Sequence, residues 1–315
     1  MERIQFPSGP SKVYGTGRTL NNGTRPAREH PEKESVRPQR RRERTAMKTA
    51  ILVTTHRPYW FSEDGPYLPV QVGADFQAPI PSVKYADNQG DNIGEKNRTF
   101  CELTGLYWAW KNLDADVYGL CHYRRYMGDR RWWKPKKERL LKEEEIRRML
   151  SGRDLILPTK RHYWIETIGS HYAHAHPVED LQCVEGILSE RYPDYLPDWQ
   201  WMLGTRSGHI CNMFIMQREQ FNEYCAWLFD ILFEAERRLD ISSYSDSDRR
   251  VFGYLGELML DVWVRKNGLR YTEAPKLCLE RQHWIRKCAA FLDRKLKGSR
   301  RDQAGRKRQE RPEEP

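Results

Sequence analysis

The sequence predicts an α/β fold: a mostly parallel sheet flanked by helices, with a tail at each end. Three observations carry this. Short apolar runs that close on Gly, Pro or polar residues alternate with longer stretches whose apolar side chains recur every three or four residues. The runs are apolar throughout rather than at every second residue, as in strands covered on both faces. Charge gathers at the ends. The first 46 residues hold 11 Lys and Arg against 5 Asp and Glu, and 297–315 hold 7 against 4, so 47–296 carries only +1 of the chain's +10.

Residues 1–46 are rich in Arg, Pro, Gly, Asn and Thr with almost no apolar spacing, and read as a disordered basic arm. A second reading stands beside it: "MKTAILVTTH" from Met47 looks like a domain start, which makes 1–46 the product of a misplaced start codon. The domain proper is 47–296, and 297–315 reads as a disordered basic tail. The arm lacks the apolar centre of a signal peptide, and no stretch reaches the ~20 apolar residues of a membrane span. Seven cysteines, at 101, 121, 183, 211, 225, 278 and 288, are odd in number and show no Cys-x-x-Cys spacing. They read as reduced thiols of a cytoplasmic protein.

The elements follow in order. "KTAILVTTH" is a first buried strand and "LPVQVGA" (68–74) a second, stopped by Gly73. "ADNQGDNIGEKN" (86–97) is a loop by its Asp, Asn and Gly content, with Asp91 or Asn92 as candidate cap for the helix marked by Phe100, Leu103, Tyr107 and Trp110. "DVYGLC" is the next strand, "KERLLKEEEIRRML" an amphipathic helix and "RDLILP" a strand closed by Pro158. "HICNMFIM" (209–216) reads as a strand. Helices follow through Phe221–Leu232 and Arg250–Val264, and "GLRYTEAP" reads as a final strand.

In open α/β sheets, ligands bind beyond the carboxyl ends of strands. Two polar segments fall there: "THRPYW", with His56, and "HYRRY", with His122, Arg124 and Arg125. Adjacent guanidinium forks suit the oxygens of a diphosphate. The plain structural alternative pairs them with acids of the Asp-rich loop. "DAD" (Asp114–Asp116) has the spelling of a metal-binding Asp-x-Asp but precedes its strand, so a turn is the better reading. His171, His174 and His176 lie too close together to define a metal site.

"DNQGDNIGEKNRTFCELTGLYWAWKN", followed at once by "DADVYGLCHYRRYM", resembles a family of bacterial capsular and exopolysaccharide biosynthesis proteins, a domain of unknown function regarded as glycosyltransferases. "DLILP", the Tyr172/His176/Asp180 spacing, "NMFIMQREQFNEYCAWLFDIL" and "RVFGYLGELML" extend the likeness over about 49–275. It implies a GT-A-like (Rossmann-like) transferase that takes a sugar, of galactose type, from a nucleotide-sugar donor.

The matching polar positions are Asp91, Asn92, Asn97, Glu102, His122, Arg124, Arg125, His176, Asp180, Asn212, Arg250 and Glu257. Physical reasoning assigns their roles. Asp91, Asp180 and Glu257 are candidate bases. His56, Asn92, Asn97, Glu102, His122, Arg124 and Arg125 are assigned to the donor, and His176, Asn212 and Arg250 to the acceptor. Arg250 and Glu257, seven residues apart, share a helix face, and an ion pair is the equal alternative for them. The cofactor stays open between Mn2+ or Mg2+ and none, with Arg124 and Arg125 able to replace the metal's charge.

"RRWWKPKK" (130–137) and "HWIRKCAAFLDRKLK" (283–297) pair aromatics with cations, as anchors at a membrane surface do, which suits a lipid-linked acceptor at the inner membrane face. Ordinary surface packing is the alternative for both. Two other classes remain: a non-catalytic sugar-binding or scaffold relative, and a nucleic-acid-binding protein using its basic tails. The near-neutral 47–296 argues against the latter.

Overall fold

The computed structural model describes residues 47–280; the basic arm, the basic tail and the 283–297 segment lie outside them. The elements in chain order are β1 (Thr49–Thr55), β2 (Tyr67–Gln71), β3 (Tyr85–Ala86), α1 (Asn97–Phe100), α2 (Leu103–Asn112), β4 (Val117–His122) and β5 (Arg125–Met127). Next come α3 (Glu143–Leu150), β6 (Leu155–Pro158), β7 (Arg161–His162), α4 (Ile168–Ala175), α5 (Glu179–Arg191), α6 (Leu196–Gly204) and β8 (Ser207–Gly208). The last are β9 (Phe214–Gln217), α7 (Arg218–Arg238), α8 (Val251–Lys266), β10 (Tyr271–Ala274) and β11 (Lys276–Cys278).

The main sheet runs β10-β6-β9-β4-β1-β2-β3. Along it β10/β6, β4/β1, β1/β2 and β2/β3 are parallel, and β9 runs antiparallel between β6 and β4. The sheet is thus mostly parallel and flanked by helices, as the apolar runs predict. β5 folds back from β4 at the His122–Arg125 pair and takes β11 as its antiparallel partner.

Both faces of the sheet are covered, which is why its strands read as continuous apolar runs. Successive side chains alternate between two cores. Leu52, Tyr118, Leu120, Leu155, Leu157, Phe214 and Met216 face the larger core, under α2, α5, α6, α7 and α8. Ile51, Val53, Cys121, Ile156 and Ile215 face the smaller one, with Leu141 and Ile146. α2 lies so close to β1 and β2 that a Cβ at Gly105 would meet Val72 at 2.9 Å and Thr54 at 3.1 Å.

Three expectations are corrected. The strand expected over 209–216 begins only at Phe214, because Cys211 and Asn212 have φ of 113° and 48°. Such backbone cannot continue a ladder. The helix expected through Phe100–Trp110 is two helices, broken where Cys101 takes φ 54°. β10 is not the final strand, since Pro275 separates it from β11. The six described cysteines are free, and no helix among the described residues is long and apolar enough to cross a membrane.

Candidate active site

β1 has β2 on one side and β4 on the other, so the direction of strand succession reverses there, and beyond the carboxyl ends at such a point open α/β sheets bind their ligands. Two segments meet at that edge. β4 exits into His122 and the tight connection to β5, held to β1 by the Tyr123 amide donating to the Thr54 carbonyl at 3.0 Å. Tyr123 is buried and organises the cations: His56 and Tyr59 stand edge-on to its ring at 5.3 and 5.0 Å, and Arg57 and Arg124 lie over it at 5.2 and 5.4 Å.

Arg57 and Arg124 share one acid, Glu280, at 3.0 and 3.2 Å. All three side chains are well exposed, so the pairs are worth little in stability. The expected alternative of pairing with the Asp-rich loop is not what occurs. Arg125 has no ion pair among the described residues; its backbone is set by the ladder to Cys278.

His122 Nε2 lies 2.7 Å from the Cys211 carbonyl. A carbonyl only accepts, so Nε2 carries the proton. Burial, before Arg125 and Arg124, lowers the imidazole below its ordinary pKa. The ring is therefore neutral, with Nδ1 left as an acceptor. Burial likewise lowers His56, helped by Arg57, Arg124 and Arg250. Arg250, at the N-terminus of α8, is thus one of the cations acting on His56.

The floor is built from strained backbone. Asn97 braces the break at Cys101, its Nδ2 donating to the Cys101 carbonyl at 2.7 Å. Asn212 donates to Glu102 Oε1 at 2.8 Å and to the Gly253 carbonyl at 3.1 Å. The three non-glycine residues of positive φ among the described residues, Cys101, Cys211 and Asn212, all belong to this floor. Strained φ collects at functional sites. Arg250 Nε donates to Cys101 Sγ at 3.2 Å, and burial pushes that thiol up to about 11.

α8 supplies the wall. Of its first fourteen residues all are buried except Tyr254 and Glu257, which are partly buried. Glu257 makes no hydrogen bond or ion pair among the described residues. Burial first, and the Glu102 carboxylate second, push its carboxyl up to about 7, while Arg125, Arg161 and Lys276 pull the other way. Lys276 Nζ also donates to Cys211 Sγ at 3.6 Å. A carboxyl titrating near neutrality, ringed by cations, can exchange a proton at physiological pH.

The structure thus brings together His56, Glu102, His122, Arg124, Arg125, Asn212, Arg250 and Glu257. His176 joins at the rim: its ring stacks on Tyr254 at 4.3 Å and its Nδ1 bonds Asp248 at 3.0 Å. Two expected site residues stay apart, and a third, Asp180, is enclosed behind Tyr172, whose ring packs on His176 at 5.0 Å. Asp91 is tied to Asn112 at the far end of α2, about 15 Å from Glu102 by helix rise. Asn92 serves its own turn, bonding the Gly90 carbonyl and the Gly94 amide. Asp180 is buried, each oxygen taken by a tyrosine hydroxyl, Tyr172 at 2.8 Å and Tyr244 at 2.7 Å.

The Asp114–Asp116 pair lies ahead of β4, at the opposite edge. Arg218 is 2.6 Å from Asp114, and the Lys48 amide donates to Asp116 at 2.9 Å. The histidines of α4 are also paired: His171 and His174 bond Glu166 at 2.7 and 2.8 Å. Among the described residues no group of three or more His, Cys, Asp and Glu is placed to hold a metal ion.

Sequence reasoning missed Arg57, Glu280, Arg161, Lys276 and Tyr254. Arg161 had a usable signal, since "TKRHYW" follows a strand end as "HYRRY" does. Tyr254 lies four residues after Arg250 and three before Glu257, on the same helix face. Two buried features away from the mouth also went unseen. Asp87 ties β2 to α2 through the Gly73 amide at 2.8 Å and the Thr104 hydroxyl at 2.5 Å. His209 sits between Asp261 at 2.5 Å and Glu273 at 3.0 Å.

A family model described as a domain of unknown function, DUF4422, matches residues 50–268. Among solved structures, the apo structure of WbbM, a bifunctional glycosyltransferase, is similar at 27% identity with a TM-score of 0.68 over 74% of this chain. The match covers 46% of that protein, so this chain spans just under half its length. No curated protein matches the chain.

Proposed function

The chain belongs to the family of the domain of unknown function DUF4422, and from that premise we propose that it is a GT-A-type glycosyltransferase. It moves a hexose of galactose type from a nucleotide-diphosphate donor to a growing, lipid-linked capsular or exopolysaccharide acceptor at the cytoplasmic membrane face. The observation that carries this is the gathering of His56, Arg57 and Arg124 around Tyr123 at the carboxyl ends of β1 and β4, where the sheet changes direction. The name of the WbbM structure, a glycosyltransferase, supports the same chemistry.

In this reading Arg124 and Arg125 grip the diphosphate, with His122 Nδ1 accepting from a donor hydroxyl. Their fixed charges stabilise the diphosphate as it leaves the sugar. Glu102 and Asn212 shape the floor, and Arg250 and His176 line the acceptor side. In an inverting transfer the acceptor oxygen bonds the anomeric carbon as the bond to the diphosphate breaks, and the acceptor's proton passes to Glu257.

A second reading, a non-catalytic sugar-binding or scaffold relative, draws on Glu280 occupying Arg57 and Arg124. A thermal-shift screen of UDP, GDP, dTDP and their sugars, with Mn2+, with Mg2+ and with EDTA, tests the proposal. Selective stabilisation by one nucleoside diphosphate is the expected result, and the EDTA arm reads the cofactor requirement. No response to any nucleotide would overturn the transferase reading, and binding without turnover would favour the scaffold.

A further inference from the structure

Two exposed aromatic segments lie close in the chain to residues of this mouth. Between β5 and α3, Trp132 and Trp133 are 80% and 66% exposed. After β7, Trp164 and Ile165 are 84% and 59% exposed. Single exposed apolar residues are ordinary, but adjacent pairs of the largest ones mark contact surfaces.

Both segments spring from residues at the site. Lys136, three residues past Trp133, donates to the Cys278 carbonyl at 2.6 Å, and Cys278 is the ladder partner of Arg125. Arg161, three residues before Trp164, is one of the cations acting on Glu257. Each exposed pair is thus joined within a few residues of chain to a group of the site, one to the Arg125 ladder and one to a cation acting on Glu257.

Their charge is one-sided. Asp129 is paired with Arg131 and Arg139, and Glu166 is enclosed and hydrogen-bonded to His171 and His174, so neither carboxylate faces the surface. Glu138 faces solvent. Arg130 and Lys134, on either side of Trp132–Trp133, have no carboxylate partner among the described residues.

We propose that Trp132–Trp133 and Trp164–Ile165 form a two-point anchor that seats in the headgroup layer of an anionic bilayer, with the mouth turned toward the membrane. Indoles favour that layer because one end is apolar and the other donates a hydrogen bond. Interspersed cations meet the anionic phosphates. One anchor would leave the domain free to rotate, whereas two separate points of contact fix its orientation. The anchor's purpose rests on the lipid-linked acceptor proposed above, but its binding does not. A glycan stacked on the indoles is the rival occupant, and the flanking cations favour the anionic surface.

The test is co-sedimentation of the full chain, without donor, on vesicles of phosphatidylcholine with and without phosphatidylglycerol, at low and raised salt. The proteins are the wild type, W132A/W133A, W164A/I165A and the fourfold variant. Raised salt screens attraction between basic tails and vesicles, so what persists there reports inserted side chains. The wild type is expected to bind phosphatidylglycerol vesicles at both salts. Each pair should weaken salt-resistant binding about tenfold, and the fourfold variant should lose it with an unchanged unfolding temperature. Fourfold-variant binding equal to wild type at raised salt would overturn the anchor. So would wild-type binding that ignores phosphatidylglycerol, or that a neutral oligosaccharide abolishes. Vesicle binding without any transfer sinks the transferase reading alone, and transfer to a soluble acceptor without vesicle binding sinks the anchor alone.

Discussion

Replacing Glu257 with Gln keeps the shape of the side chain and removes its proton chemistry. If Glu257 is the base, turnover should fall about 10²- to 10⁴-fold, the usual contribution of a positioned base, or about 3–5 kcal/mol of barrier. Affinity for the nucleoside diphosphate should change little. Stability should move the opposite way. The folded-state value of about 7 lies above the ordinary 4.5 of the unfolded chain, so between these values the folded protein holds a proton that the unfolded chain has released. The native state therefore loses stability as pH rises through that window, with the full loss present above about pH 7.

The full shift would amount to about 3 kcal/mol. Because Glu257 reaches solvent at the mouth, about 1–3 kcal/mol is the expected effect. Glu257→Gln should thus melt several degrees higher than wild type at pH 8 and level with it near pH 4. The assay pairs steady-state nucleotide release, on the donor found by the binding screen, with melting curves across pH. Turnover within a few-fold of wild type would refute the role of base. A melting difference that does not grow with pH would refute the burial argument.

Arg125→Lys should weaken nucleoside diphosphate binding about tenfold, because an ammonium cannot make the paired contacts of a guanidinium; calorimetric titration checks this. Glu280→Gln should tighten the same binding several-fold by releasing Arg57 and Arg124, and looser binding in that titration would show Glu280 to be a necessary part of the mouth. Asp180→Ala should cost about 1–3 kcal/mol by stranding two tyrosine hydroxyls while leaving the turnover of folded protein near wild type, as chemical denaturation and kinetics would show. Asp91→Ala should keep turnover within about twofold, since only the α2 C-terminus depends on it; a loss like that of Glu257→Gln would return Asp91 to the list of bases.

Much of this was legible in the chain because a two-sided sheet leaves a direct mark. "AILV" and "VYGLC" run without a charged or strongly polar residue because both faces are covered. The post-strand rule then located His56, His122, Arg124 and Arg125 without knowledge of any contact. Glu257 came from the family resemblance, with its place on one helix face with Arg250 read from the seven-residue spacing.

What failed depended on backbone that residue type does not announce. Cys101, Cys211 and Asn212 adopt positive φ that neither cysteine advertises, so a helix read as continuous was two and a strand read too long. Asp91 and Asp180 came from the family resemblance, which does not show the loop path that puts Asp91 at the far end of α2. Asp180 is enclosed by Tyr244, which lies far along the chain. Glu280 was out of reach for the same reason, its pairing to Arg57 spanning 223 residues.

The central claim is that guanidiniums at the exits of β1 and β4 hold a nucleoside diphosphate. The most direct measurement is a crystal structure of the full chain with the diphosphate selected by the screen. The account places its phosphates against Arg124 and Arg125, with Glu280 displaced from Arg124 and Glu257 facing the vacated sugar position. Phosphates bound elsewhere, at the Asp114–Asp116 edge or on the far side of the sheet, with the Glu280 pairs intact, would contradict it.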